Sequence, residues 1–280
     1  MPETPSMVSL YDNQIEIKFT PKKHTYYRKI NVEPVTYTDY PNEELVITNL
    51  KKEESEWIKI PSTTYYTGKC LDKPELYNWM VDTTARTFKE CIAKGHTLLD
   101  AEVTAKAARF KAMKKGGDVG SAVHDWIHQF VKSELGELDH PELDMPKEIE
   151  HCIEGFLEWY EKFVDSPIET EYIVYHPGMD IVGTLDLTFM NKEGQLEIVD
   201  FKTGSNIYPA DVMQIAFYRK AYTLQHGKYP DVASIVHLHK ELVKTGRQYT
   251  VLNQLNHEAN MIAFECGHYL VNWRDKTLKI

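Results

Sequence analysis

Asp186, Asp200 and Lys202 are the residues of this 280-residue chain whose types and spacing could do chemistry. Asp186 stands in the run GTLDLTF, three residues after Gly183, and Asp200 follows fourteen residues later in VDFKTG. Side chains alternate along a strand, so Asp200 and Lys202 share one face and Phe201 takes the other. An adjacent antiparallel pair of strands brings Asp186 beside Asp200. Two carboxylates held close repel unless a cation sits between them, and hard oxygen ligands with open water positions suit Mg²⁺ or Mn²⁺. Lys202 on the same face can orient or help deprotonate a water, or stabilise charge building on a phosphate. Gln214 and Tyr218 follow one helical turn apart. Each residue alone is ordinary, since a lone Asp is usually a turn or strand-edge residue; the set together is rare.

The elements that must position these groups can be read from period and punctuation. Residues 10–60 are β-rich and irregular, with IEIKFT, HTYYRKINV and ELVITNL as short strand-like runs. Helical spacing runs from Asp72, a cap before Pro74, to Gly95. A second helix is expected over 98–115, stopped by Gly116-Gly117, and a third from Val119 with Val123, Trp126, Ile127, Phe130 and Val131 as its apolar stripe. A fourth covers 144–164. The period then changes to strands over 169–178, 180–191 and 195–204, joined by His-Pro-Gly and Asn-Lys-Glu-Gly turns. A helix over 209–225 ended by Gly227, strands over 232–240 and 247–253, and a helix over 256–273 complete an α/β core with a mixed sheet.

Composition narrows the class. Charged residues make up 26% and apolar residues 42%, ordinary globular proportions that exclude disordered and collagen-like chains. No apolar run approaches the roughly 18 residues of a membrane span, and the first 20 residues lack the basic start and apolar core of a signal peptide. Cys70, Cys91, Cys152 and Cys266 form no CxxC pair, which argues against a disulfide framework, a zinc ribbon or an iron–sulfur cluster. The net charge of −10 argues against a broad nucleic-acid coat. One stretch departs from it: residues 94–115 carry Lys94, Lys106, Arg109, Lys111, Lys114 and Lys115 against Asp100 and Glu102, a local +4. On charge alone that is a solvated helix face.

The series GTLD, IVDFKTG and QIAFY resembles the PD-(D/E)XK nuclease superfamily in its RecB-like exonuclease branch. GSAVHDWIH supplies the upstream Gly120 and His124 of that branch. The resemblance implies a PD-(D/E)XK core, a central mixed β-sheet flanked by helices, here with an N-terminal β-rich and helical extension. It also implies His124, Asp186, Asp200 and the backbone carbonyl of Phe201 as ligands of Mg²⁺ or Mn²⁺, and Lys202 as the catalytic lysine. Gln214 and Tyr218 then lie beside the site and the nucleic-acid backbone. Glu171 sits where many relatives carry an acidic residue on the first strand, and either reaches the metal or is a strand-edge charge.

KHTYY and IPSTTYYTGKCLDKPELYNWM are similar to the opening of phage-type and mitochondrial relatives, so Ser62 and Thr64 become candidates for a phosphate contact beside simple capping. His128 departs from the family, which often carries Glu there; the iron–sulfur cysteines of some relatives are absent. On this reading Lys106, Arg109, Lys111, Lys114 and Lys115 form a backbone-contacting wall, and Tyr65, Tyr66 and Trp126 could stack on unpaired bases. His176, His237 and His239 stand outside these motifs and read as ordinary histidines. The expected organisation is a β-rich extension over 1–60, a helical segment lining a DNA channel over 61–118 and a nuclease core over 119–280, in one compact domain. The expected activity is a metal-dependent deoxyribonuclease, an exonuclease acting on DNA with free ends in phage-type processing, recombination or repair. Recombination or replication proteins would be its partners and the cytoplasm of a bacterial or phage-infected cell its place, with no membrane. The alternatives are a structure-specific endonuclease and a non-catalytic DNA-binding protein that keeps the fold.

Overall fold

A computed structural model describes residues 5–29, 35–39, 43–47, 57–141, 146–241, 246 and 248–277. The period-2 runs in the second half form a five-stranded mixed sheet in the order β11-β10-β9-β8-β7. Its strands are β7 (Val164–His176), β8 (Ile181–Asn191), β9 (Leu196–Lys202), β10 (Val232–Leu238) and β11 (Tyr249–Leu252). β7, β8 and β9 are an antiparallel meander, β10 lies parallel to β9, and β11 returns antiparallel on the edge. The parallel step requires a crossover, which α5 (Pro209–His226) provides before Gly227 ends it at φ +63.

Both faces of this sheet are covered, so its strands are buried along most of their length. On one face α5 and α6 (His257–Thr277) pack over a core with Val174, Leu185, Ile198 and Ile235. On the other, α4 (Lys147–Phe163) and the C-terminal half of α3 (Leu98–Glu134) pack over Leu187, Phe189, Val199 and Phe201. Phe201 is fully buried there against Trp159 and Phe156, with ring centroids 5.3 and 5.5 Å away. The alternation expected for the Asp200–Lys202 run is therefore realised.

A second, antiparallel sheet β1-β2-β3-β6 comprises Ser6–Leu10, Ile15–Thr20, Thr25–Lys29 and Trp57–Ile60. Its core side chains, among them Ile15, Ile17 and Tyr26, pack against Ile173, Tyr175 and Val182 of the main sheet. β4 (Val35–Asp39) pairs with β5 (Glu43–Ile47). The expected strand runs beyond Lys29 and Ile47 extend outside the described residues. β1 was not expected; the turn that pairs it with β2 holds Tyr11, Asp12 and Asn13 at positive φ without any glycine to signal it.

Two helical expectations are corrected. α1 (Thr63–Cys70), capped by Ser62, lies where no helix was expected, ahead of α2 (Pro74–Ala93). The helices expected over 98–115 and from Val119 are one 37-residue helix that runs through Gly116-Gly117. Glycine ends a helix when it takes the left-handed conformation, and neither Gly116 nor Gly117 has positive φ. Their propensity cost of about 1 kcal/mol each is carried by the good helix formers on either side. Among the described residues no helix is long and apolar enough to cross a membrane.

Candidate active site

The meander lines up three carboxylates across three strands. Thr170↔Leu187 and Tyr172↔Leu185 are register pairs of β7 and β8, so Glu171 lies opposite Asp186. Leu187↔Val199 is the last pair of β8 and β9, and one step further sets Asp186 opposite Asp200. Neighbouring strands are roughly 4.8 Å apart, which packs the three acids into one row. Glu171 is held at φ +51, a left-handed conformation that costs a β-region residue about 1–2 kcal/mol. Next to it the Thr170 hydroxyl donates to the Asp186 carbonyl at 2.9 Å and ties the two strands.

α3 delivers His124 to this row. Its Nδ1 stands 3.3 Å from Asp186 Oδ1 and 3.9 Å from Glu171 Oε1. Gly120, one turn earlier, permits the approach, since a Cβ there would lie 3.1 Å from Thr203 Oγ1. The Phe201 backbone N–H donates to Asp186 Oδ2 at 2.6 Å and fixes that carboxylate. Lys202 Nζ lies 2.5 Å from Asp200 Oδ2 and donates to Gln214 Oε1 at 3.3 Å. Gln214 Nε2 in turn donates to Tyr218 OH at 2.6 Å and to Asp200 Oδ1 at 3.3 Å. Gln214 and Tyr218 are buried, so α5 acts as a brace behind Asp200 and Lys202. Tyr218 seats on bare backbone: a Cβ at Gly183 would fall 2.3 Å from its Cε1.

Charge in the site is strongly perturbed. Burial, reinforced by Asp186, pushes the Glu171 carboxyl up to about 8. Burial also raises Asp200 to about 7, against the pull of Lys202 and with the help of Asp186. Burial pulls His124 down, but Asp186 and Glu171 outweigh it and bring it to about 9. Asp186 is the exception: burial raises it, yet His124, Lys202 and the Phe201 N–H hold it below the usual carboxylate range. Lys202, desolvated but facing Asp200, Asp186 and Asp211, is raised and stays an ammonium.

This arrangement fits a divalent cation. The His124 nitrogen and oxygens of Glu171 and Asp186 lie within 4.8 Å of one another. Asp200 Oδ2 is buried and ion-paired to Lys202, but without hydrogen-bond geometry to any partner. One imidazole and hard carboxylate oxygens suit Mg²⁺ or Mn²⁺. Of the expected candidates, His124, Asp186 and Glu171 fall in this grouping, and the Asp200 carboxylate is turned towards Lys202 and Gln214.

A cavity of about 600 Å³ opens above the row. Ser62 and Thr64 line it, their hydroxyls 3.0 Å apart, with Ser62 Oγ also accepting from the Tyr65 N–H at 3.3 Å. Pro21, His24 and Tyr26 of the N-terminal sheet line it too, and Tyr26 OH shares a 2.6 Å hydrogen bond with Thr184 Oγ1. These three were missed; the Lys-His-Thr-Tyr-Tyr run that holds two of them was the available signal. The basic residues Lys106, Arg109, Lys111, Lys114 and Lys115 sit on the N-terminal half of α3 and do not line the cavity. There Lys106 is paired with Glu102, and Lys114 with Asp118 at 2.8 Å. Base stacking by Tyr66 or Trp126 is corrected, because both are buried core residues; Tyr65 is exposed and donates to Asp275. His128 Nδ1 lies 3.3 Å from Thr170 Oγ1. That hydroxyl already gives its proton to Asp186, so His128 must be the donor.

A family model described as the PD-(D/E)XK nuclease superfamily matches residues 83–266, more than half of the chain. The chain belongs to the PD-(D/E)XK nuclease superfamily. That membership makes it a nuclease, a phosphodiester hydrolase of a superfamily that uses divalent metals. Among solved structures, LHK-Exo in complex with dAMP is 13% identical to this nuclease, with 54% of this chain and 80% of that chain covered and a TM-score of 0.33. An alkaline exonuclease (LHK-Exo) from Laribacter hongkongensis is 12% identical, with coverages of 55% and 85% and a TM-score of 0.27. No curated protein matches the chain.

Proposed function

We propose that this nuclease is a divalent-metal-dependent DNA exonuclease of the RecB-like branch. The observation that carries the reading is the convergence of His124, Glu171, Asp186, Asp200 and Lys202 on one cavity. His124, Glu171 and Asp186 would hold the cation, with Asp200 and the Phe201 carbonyl completing the set. When bound, the ion neutralises phosphate charge and stabilises the leaving oxygen.

The chain's own groups do the rest. Lys202 is an ammonium ion-paired with Asp200 and donating to Gln214, and it lines the cavity. There it orients the attacking water and faces the charge that builds on the phosphate. Tyr218 holds Gln214, and Gln214 holds both Lys202 and Asp200, so these two act on the chemistry through position. The hydroxyls of Ser62 and Thr64, at the N-terminal end of α1, can donate to a neighbouring phosphate. Lys106, Arg109, Lys111, Lys114 and Lys115 would guide the strand along the segment 61–118, outside the cavity, by backbone contacts. The free-end preference and a role in phage-type processing, recombination or repair rest on the family resemblance of the motifs.

The test is degradation of end-labelled linear and circular DNA with Mg²⁺, Mn²⁺ or EDTA, with Asp186→Ala and Lys202→Ala proteins beside the wild type. Metal-dependent loss of linear DNA alone, abolished by both changes, is expected. Cutting of circles would make the enzyme an endonuclease. DNA binding without cleavage in any metal would leave a binding protein.

A further inference from the structure

The C-terminal helix α6 is apolar on two opposite faces. Its inner face packs Phe264, Gly267 and Val271 into the molecule, where Phe264 and Val271 join the α5 core. Its outer face exposes Ile262 (53%), Tyr269 (69%), Leu270 (55%) and Trp273 (55%), together with the exposed thiol of Cys266. A surface helix normally turns a polar face to water, so a second apolar face calls for a second partner. Ile262, Cys266, Tyr269 and Trp273 recur at steps of four, three and four residues. That alternation is the spacing of a helix–helix seam.

We propose that this face pairs with the same face of a second copy of the chain, the two α6 helices antiparallel about a two-fold axis between Cys266 and Tyr269. The seam is self-complementary about that point. Ile262 of one copy comes level with Trp273 of the other, and Cys266 with Tyr269, so large side chains meet small ones along the line. Charge agrees with the antiparallel sense: Glu258 at one end of the seam comes within one residue, about 1.5 Å, of level with Lys276 at the other end of the second copy. A parallel pair would set like charges together. Nucleic acid is the poorer occupant, because the stripe itself carries no cation and Glu258 and Glu265 flank it on one side. The stripe from 262 to 273 is roughly 17 Å long, short for a standard interface of about 800 Å² per partner, so the dimer is weak. The pairing stands apart from the nuclease reading.

Sedimentation velocity of the full chain in reducing buffer, from about 1 to 200 μM, tests it. The mass is expected to rise from one copy to two. Ile262→Asp, at an exposed position, is expected to stay monomeric throughout with an unchanged circular-dichroism melt. Glu258→Lys and Lys276→Glu singly weaken the dimer several-fold, and the double charge swap restores it. A single-copy mass at the highest concentration, a stoichiometry other than two, a dimer indifferent to Ile262→Asp, or a double swap as weak as its parents would each overturn the pairing.

Discussion

Replacing Gly183 by alanine tests the brace behind the reactive groups. The added methyl would lie 2.3 Å from Tyr218 Cε1, 3.1 Å from its Cδ1 and 2.8 Å from Thr63 Oγ1. Ordinary carbon contacts begin near 3.5 Å, so the Tyr218 ring must retreat by about 1 Å. It is buried at the wall of the cavity, packed in the α5 core and bonded to Gln214, so the retreat disturbs that packing. Overpacking of this kind costs about 1–3 kcal/mol, a fall of several degrees in melting temperature. The functional cost is separate. Tyr218 accepts from Gln214 Nε2 at 2.6 Å, and Gln214 sets Lys202 and Asp200. Misplacing reactive groups by about 1 Å costs about 10²-fold in rate. We therefore expect Gly183→Ala to be folded at 25 °C but to cleave end-labelled DNA about 100-fold more slowly under single-turnover conditions, with DNA affinity nearly unchanged. A protein that melts as the wild type does and cleaves at the wild-type rate would refute the argument that bare backbone at 183 seats the tyrosine.

The metal-free protein should lose stability as pH rises, because Glu171 is raised to about 8 in the folded state. A carboxyl raised above its unfolded value contributes stability below about pH 4.5 and loses it on the way to pH 8. Glu171→Gln should flatten that slope and stabilise the metal-free chain at pH 8 by on the order of 2 kcal/mol, while abolishing the gain from added Mn²⁺; melts in EDTA from pH 5 to 9 decide it. Gln214→Leu removes the donor to Asp200 and the acceptor from Lys202, and should lower the single-turnover rate about 10- to 100-fold with little change in DNA affinity. A parallel loss of binding would assign Gln214 to the DNA instead. Gly116→Ala with Gly117→Ala meets no atom within 4 Å at either position and should add about 1 kcal/mol of helix stability each. Hydrogen exchange across 110–120 should slow; faster exchange would contradict a continuous α3.

What the sequence determined by itself was local. Alternation along β9 puts Asp200 and Lys202 on one face and Phe201 on the other, because the side-chain period of a strand is fixed by its backbone. The short turn at 192–194 sets Asp186 opposite Asp200, because a hairpin's register follows from its loop length. The turn of helix between Gln214 and Tyr218 was legible for the same reason. Family motifs added His124, whose distance in sequence from the strands no periodicity could bridge. Tertiary structure decided the rest. Glu171 comes beside His124 and Asp186 through its own left-handed conformation inside a strand, which no residue type announces. Gly116 and Gly117 do not break α3, since a helix ends where the backbone turns left-handed and not wherever glycine occurs. Tyr66 and Trp126 belong to cores and not to a binding surface, because burial depends on which faces meet. Tyr26 comes to the cavity from 158 residues before its partner Thr184, by the packing of one sheet on another. Contacts at that separation are fixed by the whole core, and no stretch of sequence short enough to read carries them.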